Sequence, residues 1–187
     1  LKSDFGFDFK NRIVASVTLP VWKGKWPVER RMSFISRVKE KLNEDPHFQS
    51  VAVALKFPQS HLVFRSSAFS MSAEKFPNHS ESAFVEDGIV KFSLYTVDDD
   101  FCETMGIEVL KGKWFDKSDA ITTEIETVIG ARAAKELFAD ENPIGFSWSD
   151  KIRRKNQKPR EVHYRIIGVV KNVDYNGKQE RMNLGGY

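Results

Sequence analysis

The chain has 187 residues, 41% of them hydrophobic and 12% aromatic, enough to fill the core of one ordinary domain or two small lobes. Charged residues make up 29% with a net charge of +3, close to the globular average and no argument for nucleic acid. A lone cysteine, Cys102, excludes an intramolecular disulfide, and the longest apolar run, Val51 to Leu55, is far short of the roughly 20 residues of a membrane helix.

In chain order, Ile13, Ala15 and Val17 alternate with Arg12, Ser16 and Thr18, which predicts a half-buried strand ended by Pro20. Val28, Met32, Ile35, Val38 and Leu42 then recur at helical spacing, predicting a helix over Val28 to Asn43 that Asp45-Pro46 stops. Its charged residues, Lys39 and Arg37 among them, read as a solvated face in preference to a contact with anionic lipid or nucleic acid. Gln49 to Phe57 predicts a second strand, and strand, helix and strand together suggest a βαβ-like unit with parallel strands.

Residues 58–82 hold seven Ser and two Pro and read as a surface loop, with only His61 to Phe64 able to pair as a short strand. Asp87-Gly88 is a hairpin signal that joins Ala83–Glu86 to a strong strand, Ile89 to Val97. A short helix over Asp99 to Met105 ends at Gly106. Strands follow at Ile107–Leu110 and Glu126–Ile129, with a turn at Lys111–Phe115 and a loop at Asp116–Thr123. A helix over Ala131 to Phe138 should lay Ala131, Ala134, Leu137 and Phe138 on the sheet. Asn142 to Gly145 is a turn. Phe146–Ile152 should pair with Glu161–Val170 across Lys151 to Arg160, where six of ten residues are Lys or Arg. Without interleaved aromatics this basic stretch reads as a solvated hairpin tip and not as a phosphate-binding patch. The densest β-branched run, within Tyr164 to Tyr175, predicts a buried central strand in which Gly168 marks a bulge or a close backbone approach. Asn176 to Tyr187 carries no element signal.

No stretch has the pattern of a catalytic or cofactor site. Asp98, Asp99 and Asp100 suggest a metal, but calcium loops alternate their ligands and need a distal Glu; capping of the following helix is the favoured role. Gly130 lacks a phosphate-loop context. Ser and His in 58–82 lack a nucleophile elbow and an orienting acid, so a hydrolase is disfavoured. His47, His61, His79 and His163 have no ligand spacing.

Several segments, in order, resemble one family. GFDFKNRIVASVTLP (6–20), FISRVKEKL (34–42) and FQSVAVALKFP (48–58) look like the start of the extracytoplasmic (periplasmic) core domain of MacB/FtsX-like ABC transporter permeases. YTVDDDFCETMGIEVLKGKWF (95–115), VIGARAAKELFADENPIG (128–145) and YRIIGVVKNVDY (164–175) resemble its later segments, with Lys113 where the family carries Arg and Asp45-Pro46-His47-Phe48 where it carries a proline-glycine-valine turn. The resemblance implies an α+β fold of two lobes: a porter-like βαβ lobe over 1–57, expected to be incomplete, and an inserted smaller α+β lobe over 58–187. It implies a non-catalytic domain, with no catalytic, cofactor or metal residues, that transmits motion across the membrane and contacts substrate or envelope partners. Gly106, Gly112, Gly145 and Gly168 would serve turns and close packing. The implied setting is the extracytoplasmic side of the inner membrane. The implied partners are membrane helices of the same polypeptide, a cytoplasmic ATPase acting indirectly, a periplasmic protein or substrate, and a second copy in the full-length protein; nucleic acid is not among them. The alternative is a free-standing ligand-binding protein of the cell envelope.

Overall fold

In a computed structural model, the residues described are 6, 8, 10–17, 19, 26–54, 67–82, 84–116, 124–152, 160–173 and 182–185. Helix α1 spans Val28–Asn43. Strand β1 (Ser67–Ser72) runs into a single 3-10 turn, and β2 (Val85–Glu86) and β3 (Ile89–Thr96) form a hairpin. Helix α2 (Phe101–Met105), β4 (Val109–Gly112), β5 (Glu124–Gly130) and α3 (Ala131–Phe138) follow, then β6 (Ser147–Ile152), β7 (Arg160–Val170) and β8 (Met182–Gly185). The strands form one mixed sheet in the order β1-β3-β8-β5-β7-β4, with β2 also on β3 and β6 also on β7. The α+β class expected from the sequence is what the chain adopts.

β7 is the organising strand. It runs parallel to β5 along one edge and antiparallel to β6 and β4 along the other. Its apolar run is continuous because both faces are covered. Tyr164 and Ile166 enter one core cluster with Ile129, Leu137, Phe138 and Trp148. Ile167 and Val170 enter a second with Tyr95, Val97, Phe101, Met105 and Val128. Strict alternation would put Val169 with Ile167, yet it lies with Ile166. The register against β5 slips between Thr127 and Val128, opposite Ile166 and Gly168. This bulge inverts the phase of the strand, so each apolar side chain still reaches a core. Gly168 is required there, since a Cβ would collide with the Lys113 carbonyl.

Above the first face, α3 covers the sheet. Ala133, Leu137 and Phe138 are buried, and Ala131 and Ala134 pack partly against the same cluster. Trp148 stacks on Tyr164, its register partner, with centroids 5.1 Å apart. Phe146 continues the aromatic layer to Phe76 and Phe138. The hairpin between β2 and β3 has positive φ at both Asp87 and Gly88, as a two-residue primed turn needs.

Five expectations are corrected. Residues 12–17 form no strand, and Ile13 is 82% exposed; a strand exists only through a hydrogen-bonded neighbour, and among the described residues none flanks this segment. Of the strand expected over Gln49–Phe57, residues 51–53 are irregular, Ala54 makes one antiparallel bridge to Val97, and 55–57 lie outside the described residues. Within the expected loop 58–82, Ser67–Ser72 is a strand held along its length by β3, and Met71, Ala73 and Phe76 are buried. Met182–Gly185 is a strand where none was expected, because β3 and β5 both offer it backbone partners. The strand expected at His61–Phe64, the loop 117–123 and the hairpin tip 153–159 lie outside the described residues. Lys111 and Gly112 continue β4 instead of turning the chain.

Candidate functional site

Among the described residues, a dense group of charged side chains joins α1 to the start of α2. Lys39 Nζ lies 2.6 Å from Asp98 Oδ2, 2.7 Å from Asp100 Oδ2 and 3.6 Å from Asp99 Oδ1. The side chains of Lys39 and Asp98 are 19% and 12% exposed. Asp98 Oδ2 also accepts a hydrogen bond from the Val53 N–H at 3.0 Å, and the Asp98 N–H donates to the Val53 carbonyl at 3.0 Å. The segment 51–54 is thereby strapped to the end of β3 beside the Ala54–Val97 bridge.

Local sequence explains the geometry. The helix starts at Phe101, not Asp99, and Asp100 in the N-cap position makes no side-chain capping bond, which corrects the capping role favoured for the acids; its carboxylate turns to Lys39. Gly106 closes α2 in the left-handed conformation. Lys39 follows Ile35 by four residues and therefore shares its side of α1. The half-buried residues of α1 are Arg31, Phe34, Ile35, Lys39 and Leu42, whereas Val28, Met32 and Val38 are exposed. The solvated face assigned to Lys39 is thus corrected: the helix is turned so that a lysine faces inward, drawn by three carboxylates that would otherwise repel one another.

Electrostatics follow from one cation shared among three anions. Burial works against the Lys39 charge, but hydrogen bonds to Asp100 and Asp98 outweigh it and raise the lysine pKa. Asp98 is also raised, because burial of its carboxylate exceeds what the shared ammonium returns. The folded state therefore holds the Lys39 proton more tightly than the unfolded chain does. That stability is fully present below pH 10.5 and is lost as pH rises through the folded value. Urea unfolding at pH 9 and pH 11.5 is expected to show this loss in the wild type and a smaller one in Lys39→Met; equal losses in both would contradict it.

Among the described residues, Asp98, Asp99 and Asp100 are the group of potential metal ligands, their oxygens within 4.8 Å of one another. The ammonium of Lys39 already stands where a cation would bind, so the donor set does not fit a metal. The other residues singled out from sequence do not converge. His79 Nδ1 lies 2.9 Å from the Phe76 carbonyl, and Ser82 Oγ accepts from the Phe84 N–H. His47 contacts Asp45, and His61 lies outside the described residues. At the start of α3 the Arg132 N–H donates to Asn172 Oδ1 at 2.7 Å, which claims an amide a phosphate would use.

Cys102, beside the clamp, is half-buried and directs Sγ to the Ile107 carbonyl at 3.1 Å. Burial raises its pKa to about 11. The folded protein is therefore expected to resist a disulfide reagent at pH 8 and to react fully once unfolded in guanidinium; prompt reaction of the folded form would show an open thiol.

No described helix is long and apolar enough to cross a membrane. No family profile matches the chain. The macrolide export ATP-binding/permease protein MacB of Chlorobium phaeobacteroides is 28% identical over 69 residues, 37% of this chain and 9% of that protein. Among solved structures, the periplasmic region of MacB from Actinobacillus actinomycetemcomitans aligns at 21% identity with a TM-score of 0.44, covering 82% of this chain and 54% of its own. The extracellular domain of the ABC-type transporter YknZ from Gram-positive bacteria aligns at 14% identity with a TM-score of 0.37, covering 73% of each. The chain thus spans about half of the solved MacB periplasmic region and under a tenth of the curated relative. Over those 69 residues, this chain is similar in sequence to a MacB export permease.

Proposed function

We propose that this chain is a non-catalytic extracytoplasmic domain of a MacB-like ABC transporter permease. The observation that carries the reading is collinearity: segments resembling that family occur in the family's order from residue 6 to residue 175, and a MacB permease is the relative matched in sequence. The polar chemistry supports it, since among the described residues the cluster of Lys39 with Asp98 and Asp100 is consumed in joining α1 to the sheet. In this reading, 1–57 and 58–187 are the two lobes, and the Lys39 clamp crosses the boundary between them. The domain moves as a packed body, transmits motion between membrane helices of its own polypeptide and envelope partners, and meets the cytoplasmic ATPase only indirectly. Its place is the extracytoplasmic side of the inner membrane, with a second copy in the assembled transporter. The uncovered side chains Val28, Met32 and Val38 on α1 are suited to packing against a further part of such an assembly.

The test is membrane topology of the full-length gene product. Alkaline phosphatase fused within this domain should be active, fluorescent protein at the same position dark, and the product should fractionate with membranes. A product that leaves the membrane fraction without detergent, secreted by a cleaved leader, would instead establish the free-standing envelope protein and overturn the permease reading.

A further inference from the structure

α1 is fastened unlike any other described element. None of its residues is buried, and none belongs to either core cluster. Lys39 ties it to the sheet, with carboxylates of Asp98 and Asp100 at 2.6 and 2.7 Å. The strap 51–54 that follows adds the bond from the Asp98 N–H to the Val53 carbonyl, the Ala54–Val97 bridge and the side chains of Ala52 and Ala54, which pack at the margin of the second cluster. Both attachments meet on Asp98: its Oδ2 accepts from Lys39 Nζ and from the Val53 N–H together. The opposite oxygen, Oδ1, is buried without a hydrogen-bond partner. The sheet, by contrast, is laced by ladders along β1-β3, β5-β7 and β6-β7 and by two apolar clusters.

Regions with few buried apolar contacts open locally before the rest of a fold. We propose that Lys39 and Asp98 form a releasable joint, through which α1 and the strap 51–54 detach from the sheet as one unit while the sheet remains folded. The joint centres on one carboxylate, because Asp98 Oδ2 holds the helix through Lys39 and the strap through the Val53 N–H. The apolar side chains that opening uncovers, Phe34, Ile35 and Leu42, are half-buried and not core residues, and the lysine and three aspartates it exposes are readily solvated by water. This inference concerns the fold alone and does not rest on the permease reading.

Hydrogen exchange read by mass spectrometry on the full chain tests it, with wild type, Lys39→Met and Asp98→Asn compared at one pH. The amides of 28–43 and 51–54 are expected to exchange at least about 10-fold faster in both variants, while those of β5 and β7 keep their wild-type rates. Lys39→Arg should retain most of the protection. Unchanged rates in α1 in both variants would show the helix held elsewhere and overturn the joint. Loss of protection in β5 and β7 in step with α1 would show a single cooperative unit and overturn it equally. The isosteric Asp98→Asn carries the same comparison if Lys39→Met does not accumulate as folded protein.

Discussion

Phe138→Ala is expected to lower stability by about 3–5 kcal/mol, a fall in melting temperature on the order of 10 °C for a chain of this size. Phe138 is almost fully buried where α3 meets the sheet. Its ring stands edge-on to Phe76 at 5.8 Å and to Phe146 at 5.1 Å, with Phe76 stacked on Phe146 at 5.4 Å. Truncation removes the ring that both neighbours pack against. Both are held by backbone hydrogen bonds: the Phe76 N–H donates to the Ala73 carbonyl, the Phe146 N–H donates to the Pro143 carbonyl, and the Phe146 carbonyl accepts from the Ile166 N–H. Collapse into the space is therefore restricted, and the cavity persists. Denaturant unfolding with unchanged slope is the measurement; a loss below about 1 kcal/mol would mean that the aromatic layer rearranges freely.

Gly168→Ala is expected to cost about 3 kcal/mol, the upper end of what overpacking costs. The added methyl meets the Lys113 carbonyl, which is backbone and cannot rotate away. The Lys113 N–H donates to the Ile167 carbonyl at 3.0 Å, so the approach of the two chains is fixed by a hydrogen bond beside the collision. Relief would separate β4 from β7 and disturb the bulge that sets the phase of Val169 and Val170. Gly88→Ala is the control: Gly88 has φ of +71° but open space around its Cβ position, so its cost is conformational only, about 1 kcal/mol. Equal losses at the two positions would refute crowding as the reason for Gly168.

The parts of this fold that were legible in the sequence are those whose signal is local. α1 and α3 have the predicted limits because breaking residues and apolar spacing act within the segment. The Asp87-Gly88 hairpin and the pairing of β6 with β7 follow from turn chemistry and alternation. The Gly168 bulge was visible as a glycine within a β-branched run. What was hidden is non-local. Ser67–Ser72 and Met182–Gly185 have composition suited to loops, and both are strands because distant neighbours supply their ladders. Ile13 to Val17 shows the converse, a strand pattern without a partner. The clamp was half legible. Three consecutive acids mark themselves, but their cation lies 59 residues away on the helix, and spacing alone placed it toward solvent. A lysine one turn from Ile35 and three residues before Leu42 was the available clue, since it falls within the apolar stripe.

The position of β8 bears on the order in which the fold can form. β3 and β5 share no ladder of their own; β8 lies between them, parallel to one and antiparallel to the other. Until Met182 to Gly185 have left the ribosome, the β1-β2-β3 and β5-β7-β6-β4 halves remain two sheets, each with an unsatisfied edge where the other will be joined. Before that point the nascent chain must keep these edges apart from one another and from other chains, and then close them with four residues.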